Sequence, residues 1–235
     1  MNKVERAVIL AAGKGERLRP VTLDTPKPLV KVNGVRMIDT ILIALLRNGI
    51  KEIYVVTGYQ KEKFRDLVCQ YPQIVLIENP WYEKCNNISS LYAARTHLEN
   101  AFIIDGDQII HNDAVLSPEF ERSGYNAVWN DQQTNEWMMT VRNGIVSGCS
   151  RTGGVHAWQL YSISRWSAED GRKLCRHVEL EFEQHQNDQI YWDDIPLFCH
   201  KEEYTLGITE MQMQDVQEID TLSELIRADG SYQYY

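Results

Sequence analysis

The stretch from Ala7 to Lys31 limits what this chain can fold into more than any other. Ala7, Val8, Ile9, Leu10, Ala11 and Ala12 form an unbroken apolar run with no helical period, the pattern of a strand buried on both faces of a mostly parallel sheet. Gly13, Lys14, Gly15, Glu16, Arg17, Leu18, Arg19 and Pro20 follow at once. That loop therefore lies at the carboxyl end of a strand, where open α/β sheets place their ligands. Gly13 and Gly15 leave backbone N–H groups open to an approaching anion, and Lys14, Arg17, Arg19 and Lys27 add cationic side chains. Pro20, Pro26 and Pro28 hold the backbone around Lys27, which lowers the entropy lost when that lysine engages a ligand. The guest that suits this combination is a polyphosphate.

Two other phosphate motifs do not fit. A dinucleotide fingerprint needs a third glycine at position 18 and an acid about 20 residues on, but position 18 is Leu18 and the segment around Asn33 offers no acid. A Walker loop needs Gly, Lys and then Ser or Thr, and Gly13, Lys14 is followed by Gly15.

Downstream, Met37, Ile38, Ile41, Leu42, Leu45 and Leu46 recur at helical spacing and Gly49 stands where a helix should end. Ile53 to Thr57 reads as a strand, Gln60 to Gln70 as a helix, Ile74 to Glu78 as a strand, Ser89 to Leu98 as a helix and Ala101 to Ile104 as a fourth strand. Such alternation predicts a parallel α/β sheet. The second half differs. Asn143 and Gly144 between Glu136–Val141 and Ile145–Cys149 are a strong hairpin signal, with strands expected at Tyr125–Asn130, Gly154–Ser162, Tyr204–Ile208 and Val216–Ile219. Helices are expected at Ala168–Gln186 and Thr221–Arg227. No linker or internal repeat divides the 235 residues. We expect one domain spanning 1–235, with one half to about residue 110 and a second from about 111.

Composition narrows the partners. A formal net charge of -9 argues against nucleic acid, which needs a basic face, so the cationic loop suits a small anion. Cys69, Cys85, Cys149, Cys175 and Cys199 form no CxxC pair, and an odd, scattered set of thiols points to a reducing, cytoplasmic setting. No apolar stretch approaches the ~20 residues of a membrane span. The six histidines show no i, i+4 pairing, which argues against zinc.

Phe102, Ile103, Ile104, Asp105, Gly106, Asp107 places two acids at the carboxyl end of the fourth strand, on the same sheet edge as the phosphate loop. Alternation is expected to point both acids to one side, with Gly106 leaving room. A hard cation such as Mg²⁺ takes one or two carboxylates and fills its shell with water and phosphate oxygens. A single Asp in that position could equally make an Asx-turn or cap a helix.

The residues Leu10, Ala11, Ala12, Gly13, Gly15, Arg17, Leu18, Pro20, Thr22, Pro26, Lys27 and Pro28 together resemble the signature of the nucleotidyltransferase superfamily that activates sugar phosphates and other small phosphates. The resemblance implies a Rossmann-like α/β fold: a mixed, mostly parallel central sheet flanked by helices, with a nucleotide-binding half at about 1–110 and antiparallel additions in an acceptor-binding half at about 111–235. It implies Mg²⁺ on Asp107 and Asp220, and a catalytic set of Arg17, Lys27, Asp107 and Asp220. Arg17 is expected on the β- and γ-phosphates, and Lys27 on the α-phosphate or the acceptor. The backbone from Leu10 through Ala11 and Ala12 to Gly13, with Gly15, Asn79 and Ser90, is expected to contact the nucleotide. Read without the resemblance, Asp220 is the N-cap of the last helix, with Glu224 not placed to form a capping box.

Three later segments, Asn86 to Tyr92, Thr134 to Trp137 and Tyr191 to Asp193, resemble the members that transfer a cytidylyl group from CTP to phosphocholine. The resemblance implies acceptor binding by Trp137, Tyr191 and Asp193, since a quaternary ammonium is held by aromatic faces and carboxylates. Trp137 and Trp192 could instead be core aromatics. Phosphoethanolamine, 2-aminoethylphosphonate or a sugar 1-phosphate are the alternative acceptors, and a nucleotide-binding module without turnover is the alternative class.

Overall fold

The computed structural model describes every residue from Met1 to Tyr235. Its first half is built on β1 (Arg6–Ala11), α1 (Met37–Arg47), β2 (Glu52–Thr57), α2 (Arg65–Gln70), β3 (Ile74–Glu78), α3 (Ile88–Ala93) and β4 (Ala101–Asp105). Strand β1 pairs in parallel with β2 and β4, and β2 with β3. The order β3-β2-β1-β4 places the chain's change of direction between β1 and β4. There the loops after the two strands part and leave a crevice.

The second half adds β5 (Gln108–Ile110), β6 (Gly124–Asn130), β7 (Met138–Arg142), β8 (Ile145–Ser150), β9 (Ala157–Trp166), α4 (Ala168–Glu179), β10 (Gly207–Glu210), β11 (Val216–Glu218) and α5 (Leu222–Ala228). Strand β9 runs antiparallel to β4 and extends the sheet. The other strands follow as β9-β7-β8-β10-β6, and β6 also pairs with β9, so these five close into a ring. Periodicity could not reveal that closure, which depends on long-range pairings such as Ile145 with Gly207.

Most expected elements form within a few residues. The Asn143–Gly144 turn has positive φ at both residues (52° and 73°), as its hairpin requires. Three boundaries differ. The helix expected from Gln60 begins as a tight 3₁₀ turn at Lys61–Phe64 after a left-handed Gln60. The one expected to Leu98 stops at Ala93, and the one expected to Gln186 loosens into a π-turn at Leu180–Gln184.

Two large clusters of apolar side chains lie on opposite faces of the sheet. Ile9, Val55, Phe102 and Ile104 pack with α1 on one, and Val8, Leu10, Ile103 and Trp166 pack with α3 and α4 on the other. Strands β1 and β4 are thus covered on both sides, which accounts for their unbroken apolar sequences.

Candidate active site

The site begins with how closely the Gly15 loop and Lys27 approach one another. Gly15 adopts φ +60°, and a Cβ there would lie 2.9 Å from Lys27 Cβ; the Thr22 hydroxyl donates to Gly15 O at 2.8 Å. The loop after β4 is drawn onto β1 in the same way: Gly106 N–H donates to Leu10 O at 2.9 Å, and a Cβ at 106 would meet Leu10 O and Pro28 Cγ at 3.1 Å. These contacts bring Lys27 beneath the carboxylates.

Lys27 Nζ lies 2.6 Å from Asp107 Oδ2 and 2.6 Å from Asp220 Oδ1. Burial works against its charge, but the two acids outweigh that and raise its pKa. Arg17, largely exposed, reaches Asp220 Oδ1 at 3.1 Å. Leu10, Ala11, Ala12, Gly13, Gly15, Arg17, Lys27, Ser90, Asp105, Asp107 and Asp220, all marked in the sequence, line one cleft of about 400 Å³, together with Asn87. Lys14 and Arg19 are not among its lining residues and pair with Glu83 and Glu16. Asn79 is a correction to the expected nucleotide set: it is buried, its amide donates to the Ser89 and Ser90 hydroxyls, and its carbonyl accepts from Trp81 N–H. It holds the start of α3 in place and does not line the cleft.

The last helix also departs from expectation. Thr221, not Asp220, is the N-cap, and Glu224 completes the capping box that was not expected. Glu224 Oε2 accepts from the backbone N–H groups of both Asp220 and Thr221 at 2.8 Å. With the cap one residue later, the Asp220 carboxylate is free to face Lys27.

Glu218 was missed. It lies two residues before Asp220 at the end of β11, and its carboxylate comes within 4.8 Å of ligand oxygens of Asp107 and Asp220. Burial, then Asp107 and Asp220, push its pKa well up. The period of two in a strand, which puts residues 218 and 220 on one side, was the available signal. Asp107 Oδ1 is buried without a hydrogen-bond partner. Three carboxylates around an orphaned oxygen make a donor set suited to a hard divalent cation. A second cleft of about 480 Å³, walled by Glu136, Tyr161, Glu218, Asp220 and Glu224, adjoins this acid cluster.

Asp105 and Asp107 both line the cleft, on either side of Gly106. Asp107 faces Lys27, whereas Asp105 lies among Ser162, Asp193 and Asp107. Trp137 and Tyr191 are brought together, ring centroids 5.7 Å apart at 81°, and Phe198 meets Trp137 at 5.7 Å. The Asp188–Asp194 turn is tied to the segment before α3, because Trp192 N–H donates to Asn87 Oδ1 at 2.8 Å and Asn86 N–H to Asp188 O at 2.8 Å. Trp192 is a core residue, 1% exposed and packed against Tyr125 and Trp166. Asp193 is buried, and burial, with Asp194 beside it, pushes its carboxyl up to about 7. The Tyr125 hydroxyl is its neighbour, yet neither Tyr125 Oη nor Asp193 Oδ1 makes a hydrogen bond of ordinary geometry. Arg151, also missed, pairs with Asp194 and stacks 3.7 Å above Phe198.

Away from the cleft, ligand atoms of His177, His200 and Glu203 lie within 4.8 Å of one another. Their separation in sequence hid this cluster. The two imidazoles stack parallel at 4.0 Å, so their in-plane lone pairs do not converge on one point. No helix in the chain is long and apolar enough to cross a membrane.

Known proteins share this architecture. The model of the nucleotidyl transferase family matches residues 6–125. A 2-aminoethylphosphonate cytidylyltransferase of Lancefieldella rimae is 36% identical over 97% of this chain and 93% of its own length. A choline-phosphate cytidylyltransferase of Streptococcus pneumoniae is 31% identical over 93% of this chain and 94% of its own. The solved structure of the CTP:phosphocholine cytidylyltransferase of Streptococcus pneumoniae superposes with a TM-score of 0.90 at 29% identity, covering 97% of this chain and 99% of that one. A phosphate loop at the switch point, a lysine held between two acids and these relatives over nearly the whole chain place the protein in the nucleotidyl transferase family.

Proposed function

We propose that the enzyme transfers a cytidylyl group from CTP to a small phosphate or phosphonate that carries an ammonium group, releasing pyrophosphate. The observation that carries this reading is the meeting of Trp137 with Tyr191, in a turn that Asn87 ties to the cleft of Arg17, Lys27, Asp107 and Asp220. The relatives' names supply two acceptors. Aromatic faces suit phosphocholine, the acceptor implied by the sequence segments, and unpartnered carboxylate oxygens suit 2-aminoethylphosphonate.

The bond formed joins an acceptor oxygen to the α-phosphorus of CTP, and the bond broken is that to the β-phosphate oxygen. An ionised acceptor needs no general base. Both reactants are anions, so the work of the site is positioning and charge neutralisation. The Gly13–Gly15 backbone and Arg17 would bind the triphosphate, and Lys27 would oppose charge developing at the α-phosphate. Asp107, Glu218 and Asp220 would hold Mg²⁺, which when bound supplies further neutralisation of phosphate oxygens. A pyrophosphate-release assay across the four nucleoside triphosphates and a panel of acceptors tests the reading. CTP with an ammonium-bearing acceptor is expected to give the highest kcat/KM, and a preference for a sugar 1-phosphate, or no turnover at all, would overturn it.

A further inference from the structure

We propose that Asp105 is a second acid of the acceptor pocket and that Asp105 and Asp193 together select a primary ammonium over a trimethylammonium group. This rests on the reading of the pocket as an ammonium site.

Lys27 is held by Asp107 and Asp220, Arg17 by Asp220, and Arg151 by Asp194. Neither Asp105 nor Asp193 has an ion-pair partner, and Asp105 lies in the field of Asp193 at the seam where the nucleotide cleft meets the Tyr191–Asp193 turn through Asn87. Asp105 ends β4 opposite Leu10 and lines the cleft beside Asn87 and Ser90. Asn87 in turn holds the Tyr191–Asp193 turn against the cleft. Asp193, 6% exposed, presents Oδ1 with no donor. Asp105 is outside the trio of close carboxylates formed by Asp107, Glu218 and Asp220, so the metal site does not account for it.

A trimethylammonium group has no N–H. It would leave the Asp193 oxygen without a donor and would depend on aromatic faces, of which Phe198 is covered by Arg151 and Tyr191 is half exposed. A primary ammonium brings three donors and a compact charge. Two carboxyls at one seam match it.

The test compares kcat/KM for 2-aminoethylphosphonate, phosphoethanolamine and phosphocholine, and for the stepwise N-methylated forms of one backbone, at saturating CTP and Mg²⁺. Wild type is expected to favour primary amines at least about tenfold over the trimethylated form, equivalent to 1.4 kcal/mol, with a stepwise loss on methylation. Asp105→Asn is expected to lower that ratio about tenfold through KM for the acceptor, while KM for CTP and the Mg²⁺ activation midpoint stay within about twofold. If that variant does not fold, the wild-type methylation series decides. Preference for the trimethylated acceptor, or an unchanged ratio in folded Asp105→Asn, would overturn the proposal. Failure of every ammonium-bearing acceptor would instead remove the reading on which it rests.

Discussion

Lys27 shows how one side chain can be both strained by its surroundings and fixed by them. Its ammonium is buried and survives there as a cation because two carboxylates lie at 2.6 Å; taking away one side of a buried pair leaves uncompensated charge. For Lys27→Ala we expect kcat to fall about 100- to 1000-fold, the scale on which one oriented charge-stabilising donor acts in a transition state. KM for CTP should change by no more than about threefold, since the loop backbone and Arg17 remain. Steady-state kinetics over a range of CTP concentrations measure both. A change confined to KM would make Lys27 a ground-state binding residue.

At the scale of elements, the acids around Lys27 are aimed by the ends of regular structure. Asp107 follows β4 through a turn at Gly106 that lies so close to Leu10 O that a side chain there would crowd it, and Asp220 is held between β11 and the cap of α5. The seven-residue α5 is too short to be stable alone, so its cap matters twice, for the helix and for Asp220. Thr221→Ala removes the hydroxyl that accepts from Glu224 N–H at 3.3 Å. The expected cost is about 1 kcal/mol of stability, read as a lower denaturation midpoint at unchanged m-value. A drop in kcat larger than Glu224→Ala produces would show that the cap does not act through the orientation of Asp220.

Across the whole molecule, one buried acid, Asp193, and two half-buried ones, Asp105 and Glu218, tie global stability to pH. Asp105 and Glu218 are pushed well above the ordinary carboxylate range, chiefly by burial, and Asp193 rises to about 7. A raised carboxyl binds its proton more tightly in the folded state than in the unfolded state. Its contribution is therefore fully present below the unfolded value and is lost as pH rises through the folded one. For Asp193 the window runs from 3.8 to about 7, and a shift of that size corresponds to no more than about 4 kcal/mol. Asp193→Asn mimics the neutral acid. Its stability relative to wild type should rise between pH 4.5 and 7.5 and level off above, as followed by urea denaturation; a difference that does not change with pH would place the Asp193 carboxyl in a solvated setting.

How much of this was legible in the sequence follows from the range of the interactions involved. The apolar run, the glycines and the Pro26, Lys27, Pro28 segment act on their near neighbours, so Ala7–Lys31 determined the strand, the loop and the cleft it lines. The Asn143–Gly144 turn set its hairpin in the same local way. Closure of β6 to β10 into a ring, the convergence of Glu218 on Asp107 and Asp220, and the bond from Trp192 N–H to Asn87 that sets the Tyr191–Asp193 turn beside the cleft each join residues far apart in the chain. Asn79 was expected at the nucleotide from the family resemblance, but its hydrogen bonds are taken up by Ser89, Ser90 and Trp81. Short-range conformational preference is written in adjacent residues. Which distant charges share one low-dielectric space, and which are already neutralised, is settled only when packing brings them together.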